Sequence, residues 1–194
     1  MSKTKQKPDI PTAEQLFSEM KRLRAGERFR KAIVSTVLSL FVTAALAFML
    51  SSLVFPVLRV TGTSMTPTLQ NDEILLCNKL SGYGRGDLIA FYYNNRILLK
   101  RVIGVAGDVI DLQEDGTVYL NGDPLDEPYL SEPALGECNI ELPYQVPDNR
   151  IFVMGDHRAV SVDSRSTSVG CIADENVIGK VAAVVWPPSS FRRQ

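Results

Sequence analysis

Few side chains in this chain could carry out covalent chemistry, and Ser64 is the first candidate. It lies in VTGTSMTPTL, residues 60–69, between small polar residues and just before a methionine and a proline. A serine hydroxyl is a weak nucleophile and needs a neighbouring base. The two candidate bases are His157, the only histidine, and Lys100. No Cys/His cluster has metal-ligand spacing, so we expect no metal and no other cofactor.

A Ser/His/Asp arrangement would pair Ser64 with His157 and with either Asp156 or Asp163. His157 lies within GDHRAVSVDSR, where its neighbours Asp156 and Arg158 resemble members of a charge network. This context makes His157 the less favoured base.

A neutral lysine is the alternative base for a serine. Lys100 lies in RILLKRVIGVAG, an apolar run that should bury its side chain. Burial can lower a lysine pKa by as much as about 3–5 units. Reaching about pH 7 takes roughly 3.4 units, or about 4.6 kcal/mol favouring the neutral amine. Most lysines in apolar strands extend to the surface instead, so the case for Lys100 depends on the motifs around it.

An apolar segment precedes these residues in the chain. Residues 32–58 carry no charge over 27 positions, whereas spanning a bilayer takes roughly 20 residues. A polar stretch of 31 residues comes first, which is unlike a cleaved secretory signal. We therefore predict a cytoplasmic basic tail at 1–31, a retained transmembrane anchor at 32–58 and an extracytoplasmic domain at 59–194.

The charge distribution supports this division. Residues 1–31 carry a net charge of +5 and the remainder −6. Basic residues beside a span stay on the cytoplasmic side, so Arg28, Arg30 and Lys31 predict a single-pass protein of the cell membrane with its N-terminus in the cytoplasm. The body has no basic patch interleaved with aromatic residues, so a nucleic-acid partner is not expected.

Short apolar runs broken by Gly, Asn and Asp dominate the body and predict a mainly β domain. Residues 111–149 are predicted to form a hairpin and a surface excursion: Asp115-Gly116 and Asn121-Gly122 are hairpin-type dipeptides, and residues 123–149 contain five prolines. The three cysteines, Cys77, Cys138 and Cys171, allow one disulfide without indicating which pair forms it.

Four motifs occur in order after the apolar segment: GTSMTPTL at residues 62–69, GDLIAF at 86–91, KRVIGVAGD at 100–108 and GDHRAVSVDSR at 155–165. Together with VIGKVAAVVWPP near the end, they resemble type I signal peptidases, the bacterial leader peptidases, in their single-anchor Gram-positive form. Any one motif is weak, but the ordered set is specific. The resemblance implies a signal-peptidase-like β-barrel domain behind one transmembrane helix.

The resemblance also implies roles for individual residues. Ser64 aligns with the nucleophile and Lys100 with the general base of a Ser/Lys dyad that works through an acyl-enzyme. Ser161 aligns with a serine that orients the lysine, and Asp163 and Arg165 with an ion pair that supports the site. Two further residues, Gly155 and Asp156, are expected to hold the loop of Ser161.

The substrates implied are secretory preproteins, cut after small residues at positions −1 and −3. Membrane lipid and nearby secretion machinery are the other expected partners. Since Ser64 follows Leu58 by six residues, at most about 20 Å of extended chain, the nucleophile should lie close to the bilayer. The residues expected to line the substrate pocket are Leu58, Val60, Met65, Leu69 and Leu99, and Met65 is expected to be exposed.

Two positions depart from the family pattern. Gly62 stands where some members have a serine that helps to bind the oxyanion, so a second oxyanion donor beside the Ser64 N–H is unassigned. His157 stands where the family more often has asparagine, which leaves the dyad intact.

Three other functions fit parts of the sequence. A processing peptidase specialised for pilins or conjugation would share the same residues. Self-cleaving repressors also use Ser/Lys, but a membrane span in place of a DNA-binding domain argues against that function. An inactive anchored module that binds signal segments is disfavoured because Ser64, Lys100, Ser161, Asp163 and Arg165 are all present.

Overall fold

The computed structural model describes residues 12–193, and it divides into two compact units, 1–50 and 51–194. The described residues of the first unit lie in one long helix, α1 (Ala13–Val54), whose last residues belong to the second unit. An 18-residue window of α1 has a mean hydropathy of 2.3, and none of that window is buried within the protein. By length and composition α1 is therefore a candidate membrane span. Of the predicted basic tail, residues 13–31 are helical, and residues 1–11 lie outside the described part.

Helix α1 ends earlier than the apolar run does. The amide of Phe55 makes the final helical hydrogen bond, to the carbonyl of Ser51 at 2.8 Å. Pro56 follows, and proline has no N–H and disfavours helix at the preceding residue. Leu58, placed by the sequence at the end of the anchor, instead lies in a β-strand.

Residues beyond α1 form twelve strands within the described part of the chain. In order they are β1 (Val57–Arg59), β2 (Ile74–Asn78), β3 (Leu88–Tyr93), β4 (Arg96–Gly104), β5 (Val109–Leu112), β6 (Val118–Leu120), β7 (Asp123–Pro124), β8 (Tyr144–Gln145), β9 (Arg150–Met154), β10 (Ile172–Ala173), β11 (Val177–Trp186) and β12 (Arg192–Arg193). Two 3₁₀ turns, Asp174–Asn176 and Pro188–Ser190, flank β11. The mainly β domain expected from the sequence is confirmed.

Eight of these strands form one antiparallel sheet in the order β1-β2-β11-β3-β4-β9-β10, with β12 beside β11. Along β2 the burial alternates between inner and outer faces, as expected for a half-buried strand. The inner face packs around Leu69, Leu75 and Val181, all fully buried. A second apolar cluster lies between β3, β4 and β9, around Phe91 and Val153.

The smaller sheet has the order β7-β6-β5-β8. Asn121 and Gly122 both have positive φ, 55° and 92°, and form the turn between the paired strands β6 and β7. Gly116 also has positive φ, in the turn that joins β5 to β6. A Cβ at Gly116 would overlap the backbone of Ala134. This turn therefore lies against residues 123–149, the Pro-rich segment.

The Pro-rich segment is more than a surface excursion. Leu125, Leu135 and Leu142 pack against a third core cluster, which contains Ile110 and Phe152. Only a prediction of chain-distant contacts could have identified this role, since the segment has almost no strand pattern of its own.

The three cysteines are free thiols in the structure. Cys77 lies in the cluster around Leu69, whereas Cys171 and Cys138 belong to the cluster around Phe152. Burial raises the pKa of the Cys77 thiol to about 11, so this side chain behaves as a small apolar group.

Candidate active site

Lys100 lies on β4, paired with Ile89 of β3, and only 4% of its surface is exposed. Its ammonium nitrogen donates a hydrogen bond of 2.7 Å to Ser161 Oγ. Burial lowers the pKa of Lys100 from its ordinary 10.5 to about 8, against an opposing effect of the nearby Asp163 carboxylate. Arg165 lowers the pKa further and Asp156 raises it. A fraction of the amine is therefore neutral near physiological pH, which is the state a general base requires.

Asp163 and Arg165 form an ion pair with no exposed side-chain surface. The Arg165 Nε lies 2.8 Å from Asp163 Oδ1, and its Nη2 lies 2.9 Å from Oδ2. The same guanidinium donates to the carbonyl oxygens of Ser161, Arg158 and Leu135. Because it bonds the Ser161 carbonyl directly, the pair fixes the backbone that carries the lysine's partner.

The second carboxylate oxygen of Asp163 accepts the amide N–H of Gly155 at 2.9 Å. This bond ties the end of β9 to the turn that carries Ser161. Ser161 itself is buried, and its amide donates to the carbonyl of His157 at 3.1 Å. These two hydrogen bonds therefore close the loop of residues 155–165, whose Ser161 side chain bonds Lys100.

Ser64 is half-buried, in the loop between β1 and β2. Gly62, just before it, has φ of +91° and donates its amide to Asn71 Oδ1 at 2.9 Å. After Ser64, the amide of Thr66 donates to the Thr63 carbonyl and that of Leu69 to the Met65 carbonyl. Met65 and Leu69 are buried in the core cluster, so this loop is anchored from below while Ser64 keeps access to solvent.

Gly155 is the point at which the two loops meet. A Cβ at this position would lie 2.6 Å from the carbonyl oxygen of Ser64 and closer still to Ser161 Oγ. Glycine therefore permits a contact between the Ser64 loop and the Ser161 turn that any other residue would block. Sequence comparison with the motif placed Gly155 in the loop, but this close approach becomes visible only in the structure.

These contacts join the loop that carries Ser64 to the turn whose Ser161 bonds Lys100. Among the described residues, no hydrogen bond links Ser64 Oγ directly to Lys100 Nζ, whose bonding partner is Ser161. Catalytic hydrogen bonds commonly tighten only when substrate binds. The Ser64 amide N–H likewise has no acceptor within the described chain, which leaves it available to a ligand.

A cavity of about 310 Å³ opens beside Ser64. Leu58, Val60, Met65 and Leu99, which the resemblance assigned to the substrate pocket, line it. Leu69 does not, since it is fully buried in the core. The other lining residues are Val57, Arg59, Thr61, Gly62, Ile97 and Leu98.

Met65 is 2% exposed, so the expectation that it is exposed is wrong. Its side chain turns into the cluster beneath the loop, where it contributes to the cavity floor. A methionine two positions before a proline in a polar stretch gives no sequence signal for this burial, which depends on the sheet beneath.

Two further buried ion pairs surround the Ser161 loop. Asp156 accepts hydrogen bonds of 2.9 and 2.6 Å from Arg101, whose guanidinium lies 3.8 Å from the ring centroid of Tyr129. Arg158 pairs with Glu127 and is 1% exposed. The predicted charge network around Asp156 and Arg158 is present, but partners 31 and 55 residues away could not be read from local pattern.

The ring of His157 is not bonded to Ser64 Oγ within the described part of the protein. Its Nδ1 lies 3.0 Å from Thr66 Oγ1 and 3.3 Å from the Thr63 carbonyl oxygen, and its backbone amide donates to the Ser64 carbonyl at 3.0 Å. Among residues 12–193, no three His, Cys, Asp or Glu side chains converge as they would around a metal ion.

Known proteins resemble this chain over most of its length. Residues 33–186 match the family described as "Signal peptidase, peptidase S26". "Signal peptidase I U" of Bacillus subtilis (strain 168) is 34% identical over 176 residues, covering 84% of this chain and 93% of the relative. "Signal peptidase IB" of Staphylococcus aureus (strain COL) is 32% identical over 183 residues, covering 84% and 94%.

A crystal structure of a signal peptidase I from Enterococcus faecalis V583 is 29% identical, with a TM-score of 0.43, and covers 52% of this chain and 97% of that one.

An apolar helix followed by a mainly β catalytic domain, together with these relatives, defines a membrane-anchored serine peptidase. The chain belongs to the signal peptidase family, peptidase S26, as a type I signal peptidase of the Gram-positive kind. The activity that follows is the removal of signal peptides.

Proposed function

We propose that this protein cleaves secretory preproteins through a Ser64–Lys100 dyad and an acyl-enzyme. The observation that carries the proposal is the burial of Lys100, with its amine held by Ser161 in a loop that contacts the Ser64 loop at Gly155. In the reaction, neutral Lys100 accepts the proton of Ser64 Oγ as that oxygen attacks the scissile carbonyl carbon. The C–N bond then breaks, and Lys100 gives the proton to the departing amine.

The ester on Ser64 is hydrolysed in a second step. Lys100 removes a proton from water, the hydroxide attacks the ester carbonyl, and the proton returns to Ser64 Oγ as it leaves. Both tetrahedral intermediates carry an oxyanion. The unpaired amide N–H of Ser64 is one donor for it, while Gly62 offers no side-chain hydroxyl.

The cavity is suited to an extended peptide. It lies between β1, an edge strand, and residues 96–100 of β4, which pair with β3 on one side only. Two open strand edges offer backbone donors and acceptors to a peptide in β conformation. We assign to this cavity the residues before the scissile bond, with Leu58, Val60 and Leu99 limiting positions −1 and −3 to small side chains.

The basic residues before the apolar run support an orientation with the catalytic domain outside the cytoplasm. This orientation places the site on the side of the membrane where secreted proteins emerge. Secretion machinery and membrane lipid are the partners that this location implies.

Cleavage of a preprotein in detergent by full-length variants tests the dyad. We expect Ser64→Ala and Lys100→Ala to lose activity by at least about 10³-fold, and Ser64→Ala to form no acyl-enzyme on quenching. A preprotein with phenylalanine in place of alanine at −1 serves as the specificity control and should not be cleaved. Full activity of Lys100→Ala, or a loss in His157→Ala as large as in Ser64→Ala, would contradict the proposal.

A further inference from the structure

His157 contacts the nucleophile loop at three places. Its ring Nδ1 approaches Thr66 Oγ1 and the Thr63 carbonyl oxygen, and its backbone amide donates to the carbonyl of Ser64. The residues on both sides of Ser64 are therefore held by one residue from another loop, 91 or more positions away in the chain.

The same residue also holds the other half of the site. The His157 carbonyl accepts the amides of Val160 at 3.2 Å and Ser161 at 3.1 Å, closing the turn that presents Ser161 to Lys100. His157 thus lies between the loop of the candidate nucleophile and the loop that orients the candidate base.

The neighbouring groups determine which ring nitrogen carries the proton. The Thr63 carbonyl oxygen can only accept. The Thr66 hydroxyl lies 2.9 Å from that same oxygen, and when it donates its single proton there it accepts from the ring. Both contacts are satisfied when Nδ1 carries the hydrogen, and an unprotonated Nδ1 would instead face the carbonyl lone pairs.

We propose that His157 is a positioning residue for peptide cleavage, whose Nδ1–H fixes the Thr63–Thr66 turn and so sets the attack geometry of Ser64. This inference rests on the proposed function. It differs from a Ser/His dyad, because there a ring nitrogen would accept the proton of Ser64 Oγ. Here the ring donates to the backbone and side chain around Ser64 and takes no part in proton transfer.

Substitutions of His157 distinguish the effect of its hydrogen-bond donor from the effect of the space that its side chain fills. The asparagine amide nitrogen can occupy the place of Nδ1 and donate, whereas alanine cannot donate. We expect His157→Ala to lower kcat about 10- to 100-fold, as for a displaced reacting group, with KM changed less than about twofold because the cavity is intact. His157→Asn should recover most of this loss, and His157→Leu should not.

A double-mutant cycle tests whether His157 acts through its contact with Thr66. Thr66→Val removes the side-chain acceptor, while Thr66→Ser keeps it as the matched control. If His157 acts through this contact, the loss of kcat in the double variant should be smaller than the sum of the two single losses. Additive losses would contradict the inference.

The tautomer can be observed directly, because His157 is the only histidine. Full-length protein purified without a histidine tag and labelled with ¹⁵N should give one set of imidazole signals by NMR, with the proton on Nδ1. A proton on Nε2 with a bare Nδ1 would overturn the inference, as would wild-type kcat in His157→Ala or an Asn variant no better than Leu. Thermal unfolding of each variant shows whether a loss of kcat accompanies a loss of structure.

The outcomes for the dyad and for His157 can be told apart. Activity retained in Ser64→Ala or Lys100→Ala defeats the proposed function, whatever His157 does. Activity lost in those two variants with His157→Ala unaffected defeats only the positioning role.

Discussion

The two sides of the active site are built differently. On the side of the base, Lys100, Ser161, Asp163 and Arg165 are all 4% exposed or less, and a two-point ion pair fixes them. On the side of the nucleophile, Ser64 is half-buried in a loop held by its own backbone hydrogen bonds and by one from the amide of His157. Burial on one side lowers the pKa of an amine, while openness on the other admits a polypeptide. The base therefore owes its lowered pKa to burial, whereas the nucleophile lies in an accessible loop whose position depends on its contacts with neighbouring residues.

The largest effect should come from removing the amine. Lys100→Met should lower kcat/KM about 10³–10⁴-fold and yet stabilise the fold near neutral pH. The lowered pKa means that the folded state binds the Lys100 proton less tightly than the unfolded state does. The protonated, buried Lys100 therefore destabilises the fold. This destabilisation is fully present below about pH 8, decreases between about pH 8 and 10.5, and is absent above that range.

Lys100→Met is expected to raise the free energy of unfolding by about 1–3 kcal/mol. The pKa shift of Lys100 represents roughly 3 kcal/mol, and loss of the hydrogen bond to Ser161 offsets part of it. Thermal unfolding of both proteins from about pH 6 to about 10.5 checks this. The difference in Tm should shrink as the pH rises, and a difference that grows with pH would show that Lys100 is not destabilised by burial.

The second prediction compares a buried ion pair with an exposed one. Arg165→Met leaves the Asp163 carboxylate buried without its partner and should lower the free energy of unfolding by about 3–5 kcal/mol. Arg59 pairs with Asp72 at 2.8 Å, but both side chains are at least 60% exposed. Arg59→Met should therefore cost about 0–1 kcal/mol.

Urea unfolding of the two variants measures both losses. Equal losses of unfolding free energy would mean that the buried Asp163–Arg165 pair stabilises the fold no more than the exposed Arg59–Asp72 pair does.

Gly155→Ala tests the contact between the two sides. Its Cβ would force the Ser64 carbonyl away from Ser161, and a displacement of about 1 Å can cost about 100-fold in rate. We expect kcat to fall by that order, with KM affected less. Gly82→Ala is the matched control, because nothing lies within 4 Å of a Cβ there. Single-turnover cleavage should separate the two variants, and equal rates would remove Gly155 as the contact point.

The smallest effect should come from the far end of the nucleophile loop. Arg192 of β12 bonds both carboxylate oxygens of the buried Glu73 at 3.0 Å and also the Thr68 carbonyl. Arg192→Ala should lower stability by about 1–2 kcal/mol, since the pair is partly solvated, and lower kcat less than about tenfold. Arg193→Ala, at the exposed next position, should change neither. A larger loss of kcat in Arg192→Ala than in Gly155→Ala would contradict this ranking of the two contacts.

Local pattern predicted much of the fold. Apolar runs with β-branched residues gave β2, β3, β4, β9 and β11, because each fills one or both faces of a sheet. The Asn121-Gly122 turn followed from backbone preference alone. The end of α1 at Val54 could also have been predicted, because Pro56 ends the helix before the apolar run ends.

Long-range contacts could not be predicted in the same way. The partner of Arg158 lies in the Pro-rich segment, and no sequence pattern near Glu127 indicates that its side chain is almost enclosed. Leu69 has the same apolar character as the cavity residues but does not line the cavity, because its burial depends on which strands lie beneath the loop. The motif identified Ser64, Lys100 and Ser161 as candidates, whereas the role of Gly155 as their contact depends on a distance that only the folded chain defines.

The pH dependence of kcat/KM tests the central claim most directly. Cleavage of one preprotein by the full-length protein should rise with pH through an apparent pKa of about 8, as Lys100 loses its proton, and the same limb should persist in His157→Asn. A profile without this limb, or a limb that disappears in His157→Asn, would contradict Lys100 as the base that activates Ser64.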